Sequence, residues 1–336
     1  MARIGMIGAG SWGTALAAHL AGCGHKVEIW SIMQDEVDMI NNTHQQSVKL
    51  PGVILDESVT ADTDLEKVMR DKDMLVLAVP SAFTRSTAKN MAKYCRYGQL
   101  IVSVAKGIEE DTLLTMTEVI KEEIPHCEAA VLCGPTHAEE VGAGLPTAIV
   151  AGASRREVAE YVQSVFMGTN FRVYTSPDML GMQVGAALKN VIALAAGCAD
   201  GLGCGDNTKA ALITRGIAEI SQIGIAMGGK PETFSGLTGI GDLIVTCASM
   251  HSRNRRAGIL IGKGMTADEA MKEVKQVVEG VYSAKAALQL ADKYDVEAPI
   301  IRTVSRVLFG NEAPGQAVED LMLREGRIES SGLQWQ

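Results

Sequence analysis

Residues 3–20 read RIGMIGAGSWGTALAAHL. A short apolar run ends at Ile7, three glycines (Gly8, Gly10 and Gly13) follow in the spacing G-x-G-x-x-G, and the helix-forming stretch TALAAHL comes next. The glycine pattern alone is weak. Between a strand and a helix it acquires a mechanism, because glycines permit a tight turn, close backbone approach to a pyrophosphate, and close helix–strand packing. The helix N-terminus then offers N–H groups and partial positive charge to the anion. The competing reading is a plain tight turn, and the placement favours a dinucleotide site.

Outward from this stretch, residues 2–150 alternate short apolar runs with helical patterns. The runs are RIGMIGA, KVEIW, MLVLAVP, LIVSVAK, AAVLCGP and TAIVAG, with helices such as TALAAHLAGC and DTLLTMTEVIKEEI between them. Near-continuous Val, Ile, Leu and Ala suits a parallel sheet covered on both faces. The alternation predicts a doubly wound α/β domain of the Rossmann-like type.

Beyond about residue 178 the texture becomes helical, with long stretches at 182–198, 206–228, 253–262, 266–275, 279–294 and 299–308. TADEAMKEV opens with a threonine cap and acids in its first turn. The division predicted is a dinucleotide-binding domain over 1–178 and an all-α catalytic domain over 179–336, joined at SPDMLG (176–181). SSGLQWQ at the C-terminus is expected to be disordered.

Composition narrows the function. A net charge of -9 lacks the basic footprint that nucleic acid requires. Seven scattered cysteines without a C-x-x-C pair suggest neither a disulfide framework nor a zinc site, so no metal is expected. No apolar run is read as long enough to span a membrane, and MARIGMIGAG enters a strand without a charged-then-apolar leader; the expectation is a cytoplasmic protein.

The choice of dinucleotide stays open. An acid at the end of the second strand would bind a ribose 2′-hydroxyl and disfavour a 2′-phosphate. Ser31 and Ile32 stand there, neither acidic nor cationic, and Glu28 falls inside the strand.

Four further stretches carry chemistry. In VAKGIE (104–109), Lys106 follows an apolar strand, at the sheet edge where open α/β domains bind ligands; a solvated loop lysine is the alternative. In CGPTHAEEV (133–141), Gly134 permits close backbone approach and Thr136 brings a hydroxyl, although a structural turn explains both. VGAALKNVIALAAG (184–197) sets Lys189 and Asn190 among small apolar residues. Lys189 either snorkels to the surface or sits desolvated. Desolvation by roughly two to three pKa units would make it an acid/base near neutrality. GLTGIGDLIVTC with SMHSRNRRAG (236–258) places Asp242 after a glycine-rich turn and Ser252, Arg253 and Asn254 at a helix start, either as a phosphate receptor or as a capped helix with a basic face.

Together these motifs resemble the bacterial-type NAD(P)-dependent glycerol-3-phosphate dehydrogenase family over nearly the whole chain, from GAGSWGTALA to SRNRRAG and VVEGV. The resemblance implies reversible reduction of dihydroxyacetone phosphate to sn-glycerol 3-phosphate with NADH or NADPH, supplying phospholipid synthesis. It implies Lys189 as proton donor and acceptor, with Lys106 and Asp242 completing the catalytic group. Substrate binding is implied for Lys106, Gly134, Thr136, Lys189, Asp242, Ser252, Arg253 and Asn254. Cofactor binding is implied for Gly8, Gly10, Ser11, Trp12, Gly13, Lys106, Ala138, Arg253, Val277 and Glu279. The position of Ile32 usually carries a basic residue in that family. The partner expected is a small phosphorylated substrate, with a homodimer plausible from the apolar helical half. The rival readings are a dehydrogenase of another phosphorylated ketone or hydroxyacid, and a non-catalytic dinucleotide sensor that would leave Lys106, Lys189, Asp242 and Arg253 without a purpose.

Overall fold

Strand β1 (Arg3–Ile7) sits inside the sheet, between β2 (Lys26–Trp30) and β6 (Met74–Leu77), and hands the chain to helix α1 (Ser11–Gly22) through Gly8–Gly10. The structure is a computed structural model and describes residues 1–326, 328 and 329. The stretch SSGLQWQ therefore lies outside the described residues.

The remaining strands of the sheet are β5 (Thr60–Asp62), β7 (Leu100–Ser103), β8 (Glu128–Cys133), β9 (Thr147–Ala153) and β10 (Phe171–Ser176), and a hairpin, β3 (Gln45–Gln46) with β4 (Leu50–Ile54), stands apart. The order is β10-β9-β8-β7-β6-β1-β2-β5. The chain moves outward in opposite directions from β1, so the carboxyl ends of β1 and β6 form the switch point where such sheets bind ligands.

Side chains alternate across this sheet. Ile4 and Met6, Met74 and Val76, and Leu100 and Val102 enter the core shared with Leu16 and Leu20 of α1 and with Val162 and Phe166 of α7 (Arg156–Phe166). Their neighbours Ile7, Leu75, Leu77 and Ile101 enter the opposite core. There they meet Val68 of α3 (Leu65–Met69), Met91 of α4 (Thr84–Met91) and Ile120 of α5 (Met116–Glu123). Both faces are covered, which is why these strands read as unbroken apolar runs.

Two expectations need correction here, and one strand was unforeseen. The sheet is not all parallel: β9 runs antiparallel to β8, because only the single-turn helix α6 (Ala138–Gly142) joins them and a parallel return needs a longer crossover. The β10 strand, FRVYTS, gave no strand signal because its exposed Arg172, Tyr174 and Thr175 belong to a sheet edge. The helix expected over 111–124 begins only at Met116, where Thr115 and Glu118 close a capping box and fix the start.

The C-terminal half is helical: α8 (Met179–Gly201), α9 (Asp206–Ala226), α10 (Pro231–Phe234), α11 (Asp242–Ala248), α12 (Arg253–Gly262), α13 (Ala267–Val274), α14 (Glu279–Lys293), α15 (Pro299–Phe309) and α16 (Pro314–Met322). A short π-helical turn, Leu237–Gly241, precedes α11. Between α7 and this half, Asp178 caps α8 by accepting a hydrogen bond from the Gly181 N–H at 2.9 Å. Helix α8 alone among the described helices is long and apolar enough to cross a membrane, contrary to the expectation that no run reaches that length. It is wrapped by α9, α11, α12 and α14 as the central core helix, and 83% of its apolar window is buried.

Helices α8 and α12 touch backbone to backbone. A Cβ on Gly258 would run into the Leu194 carbonyl and lie 2.9 Å from the Gly197 Cα, and Gly201 meets Gly262 in the same way one turn on. This crossing brings the start of α12 against the middle of α8, where Lys189 and Asn190 lie.

Candidate active site

The first cradle forms at the end of β1. Gly8 adopts φ +123, and a Cβ there would lie 2.9 Å from the Ala78 carbonyl of the neighbouring strand end. A Cβ on Gly13 would collide with the Gly8 carbonyl, whereas one on Gly10 meets nothing within 4 Å. The turn is thus closed beneath and open above, over a helix start that no side chain caps. Trp12 buries its indole Nε1–H without a hydrogen-bond partner among the described residues. Ala138, at the start of α6, is buried against the same helix. The exposed backbone donors fit a dinucleotide pyrophosphate.

Across the sheet edge stands a charged cluster. Asp242 is fully buried at the start of α11, aimed inward by the π-helical turn before it. Its Oδ1 accepts a hydrogen bond from Lys189 Nζ at 2.5 Å and its Oδ2 one from Lys106 Nζ at 2.9 Å. Lys106 Nζ also donates to the Gly134 carbonyl at 2.9 Å and to Thr136 Oγ1 at 3.3 Å. Lys189 Nζ donates to Thr246 Oγ1 at 2.6 Å, and the Thr246 hydroxyl in turn donates to the Asp242 carbonyl. Lys189 does not snorkel: it is 4% exposed. Burial lowers its pKa to about 8, the Asp242 charge opposes that fall, and the neighbouring Lys106 ammonium adds to it.

A belt of amide hydrogen bonds backs the cluster. Asn190 Nδ2 donates to the Lys106 carbonyl at 3.4 Å, Asn254 Nδ2 to Asn190 Oδ1 at 2.9 Å, and the Gly280 N–H to Asn254 Oδ1 at 2.8 Å. One amide hydrogen of Asn254 stays available. Ser252 Oγ accepts from the Arg255 N–H and so caps α12. Arg253, half-buried at the start of α12, makes no hydrogen bond or ion pair among the described residues; burial lowers its pKa while the Glu279 charge acts against the shift. Glu279 accepts from the Ser81 N–H at 3.1 Å and from the Ser81 hydroxyl. Val277 lies half-buried just before α14 and contributes no polar group.

The structure thus brings Lys106, Gly134, Thr136, Lys189 and Asp242 into one hydrogen-bonded group, with Ser252, Arg253 and Asn254 joined to it through Asn190. Thr246 and Ser81 were missed in the sequence. Thr246 was findable, four residues after Asp242 and so on the same helix face; Ser81 follows the strand run MLVLAVP, again at the carboxyl edge of the sheet. A third missed residue is Glu36 of α2 (Gln34–Thr43), which accepts a hydrogen bond from Ser31 Oγ at 2.6 Å and pairs with Lys49. A carboxylate from the next helix thus stands against the end of β2.

A Rossmann-like half with an open pyrophosphate cradle, beside a helical half carrying two lysines on one buried aspartate, defines an NAD(P)-dependent dehydrogenase. Residues 3–159 match the model of the NAD-dependent glycerol-3-phosphate dehydrogenase N-terminus and residues 178–319 that of its C-terminus. The glycerol-3-phosphate dehydrogenase [NAD(P)+] of Agathobacter rectalis is 64% identical, with 100% of each chain covered, and that of Fusobacterium nucleatum is 56% identical over 98% of this chain and 99% of the other. A crystal structure of glycerol-3-phosphate dehydrogenase from Coxiella burnetii superposes with a TM-score of 0.93 at 36% identity, covering 96% of this chain and 99% of that one. The chain belongs to the NAD-dependent glycerol-3-phosphate dehydrogenase family.

Proposed function

We propose that this chain interconverts dihydroxyacetone phosphate and sn-glycerol 3-phosphate with NAD(H) or NADP(H), using Lys189 as the general acid and base. The observation that carries the assignment is the convergence of Lys106 and Lys189 on Asp242, two ammonium groups on one buried carboxylate. The three charges sum to one net positive charge, which suits an oxygen that becomes anionic as a ketone is reduced.

Bound reduced nicotinamide supplies the hydride to the ketone carbon. The chain's own residues do the rest. Lys189, as ammonium, gives a proton to the developing alkoxide; as neutral amine it takes the hydroxyl proton in the oxidative direction. Asp242 holds Lys189 Nζ in place, and Thr246 fixes the ammonium from a second side. Lys106, held by Gly134, Thr136 and Asp242, orients the polar end of the substrate. Arg253, with its N–H groups unengaged, takes the phosphate together with the remaining Asn254 N–H and the α12 helix start. Gly8, Gly10, Ser11, Trp12 and Gly13 would hold the cofactor pyrophosphate, while Ala138, Val277 and Glu279 would flank the rest of it.

The two functional halves meet in this reading at residues 178 and 179, where α8 begins. We place the protein in the cytoplasm, feeding phospholipid synthesis, and take its assembly to be a homodimer. The test is the absorbance of NADH, and separately of NADPH, when the purified protein meets dihydroxyacetone phosphate. Loss of signal that disappears in a folded Lys189→Ala variant supports the reading; near wild-type turnover in that variant overturns it. Unchanged turnover in Arg253→Ala would favour a substrate without phosphate.

A further inference from the structure

Ser81 hydrogen-bonds to neither lysine, yet it joins the two halves of the site. It stands just after β6 on the turn that follows Pro80, packed so closely on Gly107 that a Cβ there would overlap its side chain. Gly107 follows Lys106 directly, so the position of Ser81 is set by the same loop that presents a catalytic lysine. From there Ser81 reaches a residue 198 positions on: its N–H donates to Glu279 Oε1 and its hydroxyl to Oε2.

Glu279 has an obvious rival partner. The Gly280 N–H to Asn254 hydrogen bond ties the start of α14 to the start of α12, so Glu279 and Arg253 begin two helices that meet. Their charges act on each other: Arg253 counters the burial that raises the Glu279 pKa, and Glu279 counters the burial that lowers that of Arg253. A carboxylate and a guanidinium this near, both partly desolvated, would ordinarily form a two-pronged pair. They do not. No ion pair joins them, and the two carboxylate oxygens go to Ser81.

We propose that Ser81 is a positioning residue which, by engaging both oxygens of Glu279, holds that carboxylate off Arg253 and keeps the guanidinium available to the substrate phosphate. The inference rests on Arg253 as the phosphate ligand, as read above. Without Ser81, Glu279 turns to Arg253, and an incoming phosphate must displace a carboxylate before it can bind. In the same reading Glu279 would flank a bound cofactor, so binding of substrate and of cofactor would share one controlled carboxylate.

The test uses the full-length, cofactor-free protein titrated with inorganic phosphate by calorimetry, in wild type, Ser81→Ala, Glu279→Gln and the double variant. Ser81→Ala is expected to weaken phosphate binding about tenfold, which corresponds to roughly 1.4 kcal/mol. The double variant is expected to return to within about twofold of wild type, because an amide cannot compete for the guanidinium as a carboxylate does. In turnover assays Ser81→Ala should raise KM for dihydroxyacetone phosphate more than it lowers kcat. Unchanged phosphate affinity in Ser81→Ala overturns the proposal, as does a double variant as weak as the single one, which would mark a merely structural loss. Ser81→Cys, similar in size but a weak donor, makes the same comparison if the alanine variant does not fold. An Arg253→Ala variant separates the two levels: if wild-type affinity does not depend on Arg253, the reading of the phosphate site fails; if it does, and Ser81→Ala has no effect, only the role of Ser81 fails.

Discussion

Lys189 and Lys106 donate to different oxygens of the same carboxylate, Asp242, at 2.5 and 2.9 Å. One buried anion therefore holds two cations that reach it from α8 and from the end of β7. Replacing it removes their common anchor and leaves two ammonium groups facing each other. Asp242→Asn is expected to lower kcat by about 10²–10³-fold, in the range found when a preorganised charge is removed from an active site. It is also expected to destabilise the fold by about 3–5 kcal/mol, because the buried lysines lose their counter-charge. Steady-state kinetics with a thermal unfolding scan checks both. A folded variant with kcat within tenfold of wild type would contradict the assignment.

With Lys189 as the proposed acid and base, its pKa, lowered to about 8 chiefly by burial, is expected to set the pH profile. Ketone reduction needs the ammonium, so its rate is expected to fall as pH rises through about 8. Oxidation of the alcohol needs the free amine, so it should rise through the same point. Opposite limbs from one group are the signature to look for. Asp242 holds this pKa up against burial, so whatever activity remains in Asp242→Asn should have its midpoint at lower pH. Rate profiles in both directions, at saturating cofactor, measure it; a midpoint unmoved by Asp242→Asn would count against the coupling.

The doubly wound half was legible because both of its faces are covered: buried strands such as MLVL are apolar at every position and LIVS at all but its last, and the glycine loop sits between a strand and a helix. The β10 edge strand was not legible, since Arg172, Tyr174 and Thr175 point to water and break the apolar run. Lys189 and Asp242 were legible as candidates because charge stands out in apolar or glycine-rich surroundings. Their contact was not, because it spans 53 residues and depends on how α8 packs against α11. Ser81 stayed hidden for a similar reason, since it acts on a carboxylate 198 residues on, and Glu36 because it lies on the helix after β2 and meets Ser31 and Lys49 only once that turn is folded.

The glycine contact between α8 and α12 fixes how closely the α12 start, the proposed phosphate site, approaches Lys189. A Cβ on Gly258 meets the backbone of Leu194 and Cys198, which cannot rotate aside. Gly258→Val is expected to cost about 1–3 kcal/mol or more through overpacking, and to raise KM for dihydroxyacetone phosphate by moving Arg253 and Asn254 away from Asn190. Gly22→Ala is the control, since a Cβ at Gly22 meets nothing within 4 Å. Its unfolding temperature should equal or exceed that of wild type. Equal stability of the two variants would show that the close crossing is not required.

Glu36 of α2 meets the end of β2 through Ser31, and it is expected to be the acid that reads the adenosine ribose in this dinucleotide-binding fold. A carboxylate there accepts a hydrogen bond from a 2′-hydroxyl and repels a 2′-phosphate. Lys49, paired with the same carboxylate, softens the repulsion, and the exposed Ile32 adds no cation. The wild type is therefore expected to use NADH at least as well as NADPH. Glu36→Gln should raise the NADPH:NADH ratio of kcat/KM by about tenfold, the effect of roughly 1.4 kcal/mol of repulsion removed. The change should come through KM for NADPH and leave kcat nearly constant, because the 2′ position is remote from the reacting carbon. Parallel titrations of the two cofactors at saturating dihydroxyacetone phosphate measure the ratio. A ratio that stays constant in Glu36→Gln would place cofactor selection elsewhere along the ribose, and a fall would mean that Glu36 serves mainly to hold Lys49 in reach of the 2′-phosphate.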